Sequence, residues 1–221
     1  MNIIWRNMIG DIVQVKPHHL PPARQIVKLI EPELNKKQKV FTISVGGESG
    51  SGKSTLSLAV EKILEEKGHN CFIFHMDDYF KLPPKDNHDR RLDAVKNVGP
   101  HEVKLNLLQQ HINHAREGAK KLKKPLVHYR ENRMREVIVE LEKIDVVIVE
   151  GTYVTILDNI DCKVFMLRNY TDTYHARVER ARDPIIPFNE KVLQVEHEII
   201  SNHRQLADIW VDKNYNVKRR K

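Results

Sequence analysis

At 221 residues the chain suits one domain with a sizeable core, and 40% hydrophobic with 30% charged residues is the balance of a globular protein rather than a disordered one. No apolar run reaches the ~18 residues of a membrane span, and the start MNIIWRNMIGD lacks the basic region and cleavage pattern of a secretory signal, so no membrane partner and a cytoplasmic location are expected. Cys71 and Cys162, the two cysteines, sit in apolar runs and exclude a disulfide framework, while 37 Lys and Arg against 30 Asp and Glu leave a net charge of +7 that suits an anionic partner.

In chain order, DIVQV and the segment from Pro22 to Leu34 predict a strand and a helix, an N-terminal extension over residues 1–39 ahead of the main domain at 40–221. VFTISV (40–45) is the first of four strand-length runs rich in Val, Ile and Phe; CFIFHM (71–76), DVVIVE (145–150) and CKVFML (162–167) follow, and ADIWV (207–211) supplies a fifth. Helical spacing between them, over Ser54 to Lys67, Glu102 to Arg116, Thr171 to Arg182 and Asn189 to Gln205, predicts an α/β fold, a parallel sheet with helices on both faces. Two segments break the alternation. KLPPKDNHDRR, within Asp77 to Pro100, reads as a mobile loop, and the segment from Lys120 to Val139, which alternates through LVHYRENRMREVIVEL, reads as a hairpin insertion beside the sheet. The terminal VKRRK reads as a solvated basic end.

The first strand runs into Gly47-Glu48-Ser49-Gly50-Ser51-Gly52-Lys53-Ser54, which fits G-x-x-x-x-G-K-[ST] between a strand and an amphipathic helix, the context a phosphate-binding loop (P-loop) requires. Its glycines let backbone N–H groups turn inward around phosphate, and the helix N-terminus adds partial positive charge. Residues Gly47 through Thr55 are therefore expected to bind ATP, with Lys53 on the β- and γ-phosphates and the Ser54 hydroxyl on Mg²⁺.

What receives the phosphate is decided by the acids. No N-K-x-D or D-x-x-G turn marks a guanine-specific switch, and a motor ATPase would carry Asp-Glu after its second acidic strand together with further domains. Glu150 instead ends the DVVIVE strand, where an open parallel sheet places its active groups, and is the candidate second Mg²⁺ ligand. CFIFHM leads into Asp77 and Asp78; Asp77 is the chosen catalytic base, able to orient a hydroxyl and take its proton as the phosphoryl group arrives. Arg168, Arg177, Arg180 and Arg182 are dense enough for a lid that closes over the phosphates.

These motifs together resemble the uridine kinase and phosphoribulokinase group of P-loop kinases. The likeness runs from GESGSGKST through MDDYFK, NVGPHE, PLVHYR and VIVEG to LADIWV, most of Val40 to Val211. It implies Asp77 as base, Tyr79 and Phe80 near the acceptor, Glu150 at the metal, and Arg177 and Arg182 in the lid, with ATP and Mg²⁺ as cofactors and a nucleoside such as uridine or cytidine as the small-molecule acceptor. Uridine kinases carry an N-F-D-H-P-D-A-like stretch and a Y-D-x-x-x-H element, where this chain reads NVGPHE and VHYREN. His101 or Glu102 are the candidates for the ribose contact, and His128, Arg130 or Arg133 for an anionic acceptor. The alternatives are a same-fold kinase for a sugar phosphate or a pantothenate-like acid, and an ATP-binding regulator that meets nucleic acid, a partner not otherwise expected, through its basic surface. A homo-oligomer is left open. The His18-His19 and His111/His114 pairs lack a nearby third ligand and read as surface or packing residues.

Overall fold

The computed structural model describes residues 14–180 and 186–220. Six strands form one sheet in the order β2-β5-β1-β6-β7-β8, made of β1 (Phe41–Gly47), β2 (Cys71–His75), β5 (Val146–Gly151), β6 (Cys162–Met166), β7 (Ile209–Val211) and β8 (Val217–Arg219). The first five in that order run parallel and β8 returns antiparallel along β7. The strands at the heart of the sheet contribute to two cores by simple alternation. Val146 and Ile148 join Phe41, Ile43, Val45 and Val164 on one face, while Val147 and Val149 face the other with Phe165.

Each face is roofed by helices whose apolar stripe matches it. On the first, Ala23, Ile26, Val27 and Ile30 of α1 (Leu20–Leu34) pack with Leu56, Val60, Ile63 and Leu64 of α2 (Lys53–Glu66). On the second, Leu108, Ile112 and Ala115 of α4 (Leu105–Arg116) pack with Tyr153, Val154 and Ile200, the last residue of α6 (Pro187–Ile200). The strand expected at DIVQV does not extend to Gln14 and Val15, and the rest of it lies outside the described residues. The basic C-terminus is no free tail, since Val217–Arg219 is the edge strand β8 and Arg219 pairs with Glu33 of α1.

The stretch read as a mobile loop is ordered. A 3-10 turn at Met76–Tyr79 leads to α3 (Pro84–Asp93), which starts on a proline suited to the first helical turn and places Asp86 there as well. The hairpin is present as β3 (Lys121–His128) and β4 (Arg133–Glu140), a two-stranded sheet of its own, with Asn132 at φ +48° in the turn. No helix among the described residues is long and apolar enough to cross a membrane.

The sheet's carboxyl edge is built to very close tolerance. A β-carbon on Gly151, where β5 ends, would stand 2.3 Å from the Met76 β-carbon, and the φ of +156° disfavours any side chain there. Gly151→Ala is therefore expected to lower unfolding stability by about 1–3 kcal/mol, read by denaturant titration; a midpoint unchanged from the parent would show that the strand end can move aside.

Candidate active site

The phosphate loop crosses from β1 to α2 with Gly50 at φ +77° and Gly52 at φ +98°, left-handed conformations that glycine reaches without a β-carbon clash. In this form the loop is held by its own side chains. Lys53 Nζ donates to the Glu48 carbonyl (2.8 Å), Ser49 Oγ donates to Glu196 (2.9 Å), and the Glu48 carboxylate meets His197 Nδ1 (2.6 Å) and accepts the Tyr170 N–H (2.7 Å). Glu196 and His197 both lie on α6, so this helix is fastened to the loop at two neighbouring residues.

Beneath this contact runs a buried charge network. Arg91 of α3 makes a two-pronged bond to Glu102 (2.7 and 2.9 Å) and reaches Glu196 (3.5 Å), while Glu102 also accepts the Gly99 N–H (2.8 Å). Burial alone would lower the Arg91 guanidinium, but Glu102 and Glu196 hold it above its ordinary value. Burial pushes the Glu196 carboxyl up, against the opposing pull of Arg91, Ser49 and Lys53. The Glu102 side chain is fully closed off, so the acid expected at an acceptor hydroxyl instead ties the NVGPHE turn to α3.

The three strands at one end of the sheet set the rest of the geometry. In the order β2-β5-β1, Glu150 is the register partner of Val45 on one side and of His75 on the other, and its carboxylate bonds His75 Nδ1 at 2.7 Å. Asp77 is the second residue of the turn after β2, half-buried, with its Oδ2 accepting the Tyr129 hydroxyl from the hairpin loop at 3.1 Å. Its neighbour Asp78 is turned inward, 1% exposed, where it binds Lys124 Nζ (2.6 Å) and the Val127 N–H (2.9 Å) of β3. The two acids thus divide, one half-buried under the hairpin loop and one bolting the hairpin to the sheet.

The other expected residues fall as follows. Ser54 and Thr55 lie in the first turn of α2, half-buried. Tyr79 is fully buried with its hydroxyl on His111 Nδ1 (2.9 Å), packed into the core rather than open to an acceptor; Phe80 is half-buried, and the Arg91 guanidinium stands 5.9 Å from its ring centre. His128 is half-buried, 3.5 Å from Glu131, and Arg130 is exposed. Arg177, on α5 (Tyr174–Arg180), lays its stem against Gly50 and gives its guanidinium to Glu190 (2.7 and 3.2 Å) and the Tyr170 carbonyl (3.1 Å). Arg182 lies outside the described residues.

Sequence reasoning passed over Lys124, Glu196 and Arg91. Two of them had a signal: Lys124 shares the inward face of β3 with Leu122, and Glu196 continues the apolar stripe of Val192 and Ile200 at helical spacing. A charge on an apolar stripe requires a partner, and here each has one.

Whether the residues fit Mg²⁺ follows from donor chemistry. Ser54 and Glu150 offer the hard oxygen ligands that this ion takes, at the edge where the loop would present phosphate oxygens. Ser51 Oγ, buried in the loop, has no hydrogen-bond partner among the described residues, as expected of a cradle built for a ligand.

The fold has solved counterparts. A "possible uridine kinase" from Bacillus stearothermophilus superposes with a TM-score of 0.64 at 16% identity, covering 86% of this chain and 97% of that one. In sequence, the bifunctional alpha-galactosidase/sucrose kinase AgaSK of Mediterraneibacter gnavus is 27% identical over 79% of this chain, which spans only 20% of that protein's length. A uridine kinase of Ligilactobacillus salivarius is 25% identical over 80% of this chain and 87% of its own. The family model for phosphoribulokinase and uridine kinase matches residues 42–196, the span that holds the loop, both strand-end acids and α5, and the chain belongs to that family.

Proposed function

We propose that the protein is an ATP- and Mg²⁺-dependent kinase that transfers the γ-phosphoryl group to a hydroxyl of a small metabolite, with a nucleoside as the first candidate acceptor. The observation that carries this reading is the order along the sheet edge, with the phosphate loop after β1, Glu150 ending β5 and Asp77 following β2. Two strand spacings separate the loop from Asp77, roughly 10 Å, a span that leaves room for a terminal phosphate and an attacking hydroxyl in line.

The loop amides and Lys53 hold the β- and γ-phosphates, and Lys53 releases the Glu48 carbonyl to do so. Ser54 and Glu150 are the residues that would hold Mg²⁺, which when bound neutralises charge on the phosphate oxygens. Asp77 orients the acceptor hydroxyl and takes its proton; the hydroxyl oxygen bonds to the γ-phosphorus as the bond to the β–γ bridging oxygen breaks, and ADP leaves with that electron pair. Arg177 lies against the loop at Gly50, placed to exchange Glu190 for phosphate oxygens.

A nucleoside is supported by the uridine kinases among the relatives. A carbohydrate-type acceptor is the second reading, favoured by the sucrose kinase portion of a relative's name and by the commitment of Glu102 to Arg91 and Gly99. The deciding experiment is ADP release from ATP and Mg²⁺ across a panel of nucleosides, sugars, sugar phosphates and hydroxy acids. Stimulation by uridine or cytidine is the expected result, stimulation by a sugar alone would move the assignment to the second reading, and silence across the panel would remove the kinase reading.

A further inference from the structure

Every group given a part in the transfer so far comes from the edge of the main sheet, the phosphate loop or α5. The β3–β4 hairpin reaches the same place through Tyr129, an aromatic of the VHYREN segment that none of those steps uses. Tyr129 is half-buried, and its hydroxyl donates to Asp77 Oδ2 at 3.1 Å, the two residues standing 52 apart in the chain.

The tyrosine is held from both flanks. Two residues before it, the Val127 N–H donates to Asp78 Oδ1 (2.9 Å), and the same carboxylate takes Lys124 Nζ (2.6 Å). Three residues after it, Asn132 turns the hairpin at φ +48° and donates its N–H to the Tyr129 carbonyl (3.2 Å). The Asn132 side chain then ties the tip to α3, its Oδ1 accepting the Lys85 N–H (2.7 Å) and its Nδ2 donating to Asp86 (2.9 Å). The acid next in sequence to Asp77 therefore fixes the strand that carries Tyr129, and Tyr129 in turn meets Asp77. A side chain pinned on both flanks is a stationary donor rather than a cap that swings aside for the acceptor.

A carboxylate acts as a base only when it faces the attacking hydroxyl, and the short stem of an aspartate turns about two bonds unless a neighbour holds it. We propose that Tyr129 is a positioning residue for the transfer, its O–H holding Asp77 by Oδ2 so that the carboxylate presents its other oxygen to the acceptor hydroxyl. The acceptor's proton passes to that oxygen, the electron pair of its O–H bond forms the new bond to the γ-phosphorus, and the phenol keeps its own proton throughout. This inference rests on the kinase reading with Asp77 as base and adds the group that aims it.

Tyr129→Phe tests the role, since it removes the O–H and keeps the ring. The readouts are ADP release from ATP and Mg²⁺ with uridine, or with the sugar if that is the compound that stimulates the parent, and ATP affinity by titration. The variant is expected to lose kcat by about 10–100-fold, with the acceptor KM, ATP affinity and unfolding midpoint unchanged. In an Asp77→Asn background, where no base is left to aim, the same substitution should cost nothing further. Unchanged kcat in Tyr129→Phe would overturn the proposal. So would a loss confined to KM, which would make Tyr129 a contact of the acceptor, and so would the full loss in the Asp77→Asn background, which would place the effect elsewhere. Each of these leaves an active parent and the kinase reading intact, whereas a parent silent with every acceptor of the panel would overturn the kinase reading and this role with it.

Discussion

Asp77→Asn is expected to bind ATP as the parent does and to lose phosphoryl transfer by a factor of about 10²–10⁴. The amide keeps the size and the hydrogen bond from Tyr129 but cannot take the acceptor's proton. Two measurements decide it, ATP affinity by titration and ADP release with whichever acceptor stimulates the parent. Turnover within a few-fold of the parent would strip Asp77 of the role of base. Loss of ATP affinity together with turnover would instead mean that the acid supports the loop, across the one strand, β5, between them.

The neighbouring acid gives the opposite result. Asp78→Ala should cost about 3–5 kcal/mol of stability, because it takes the carboxylate from the buried Lys124 ammonium, 5% exposed, leaving it the Pro125 carbonyl (2.8 Å), and frees the Val127 N–H. Denaturant unfolding measures the loss, and Asp78→Ala combined with Lys124→Met should recover most of it by removing the stranded charge. A single variant as stable as the parent would show that water or another group reaches Lys124. Adjacent in sequence, the two acids thus predict one enzyme that folds and does not turn over, and one that scarcely folds.

That division also marks how far the sequence could be read. The strands and helices of the main sheet were legible because burial on both faces writes itself as runs such as DVVIVE, and because the loop motif anchors β1 and α2. The helix α3 was not, since PKDNHDRRLD has almost no apolar face and forms through its proline start, its contacts with the turn before α4 and the Arg91 network. Asp77 and Asp78 could be placed at a strand end, but which one turns inward depends on Lys124, 46 residues further along the chain. Glu102 and Tyr79 were expected at the acceptor, and their partners, Arg91 and His111, lie 11 and 32 residues away, at separations that spacing does not reveal. The short edge strand β8 hid beneath a basic composition that reads as solvated.

The fastening of α6 to the phosphate loop bears on how the protein is made. Glu48 and Ser49 find their partners 149 and 147 residues later, in His197 and Glu196. A ribosome that has released the whole motif, through Thr55, has not yet synthesised the groups that hold two of its side chains. Such distant contacts close late, after the loop entropy between them has been overcome. The nascent chain therefore carries the loop's sequence long before α6, which holds Glu48 and Ser49, has emerged and docked.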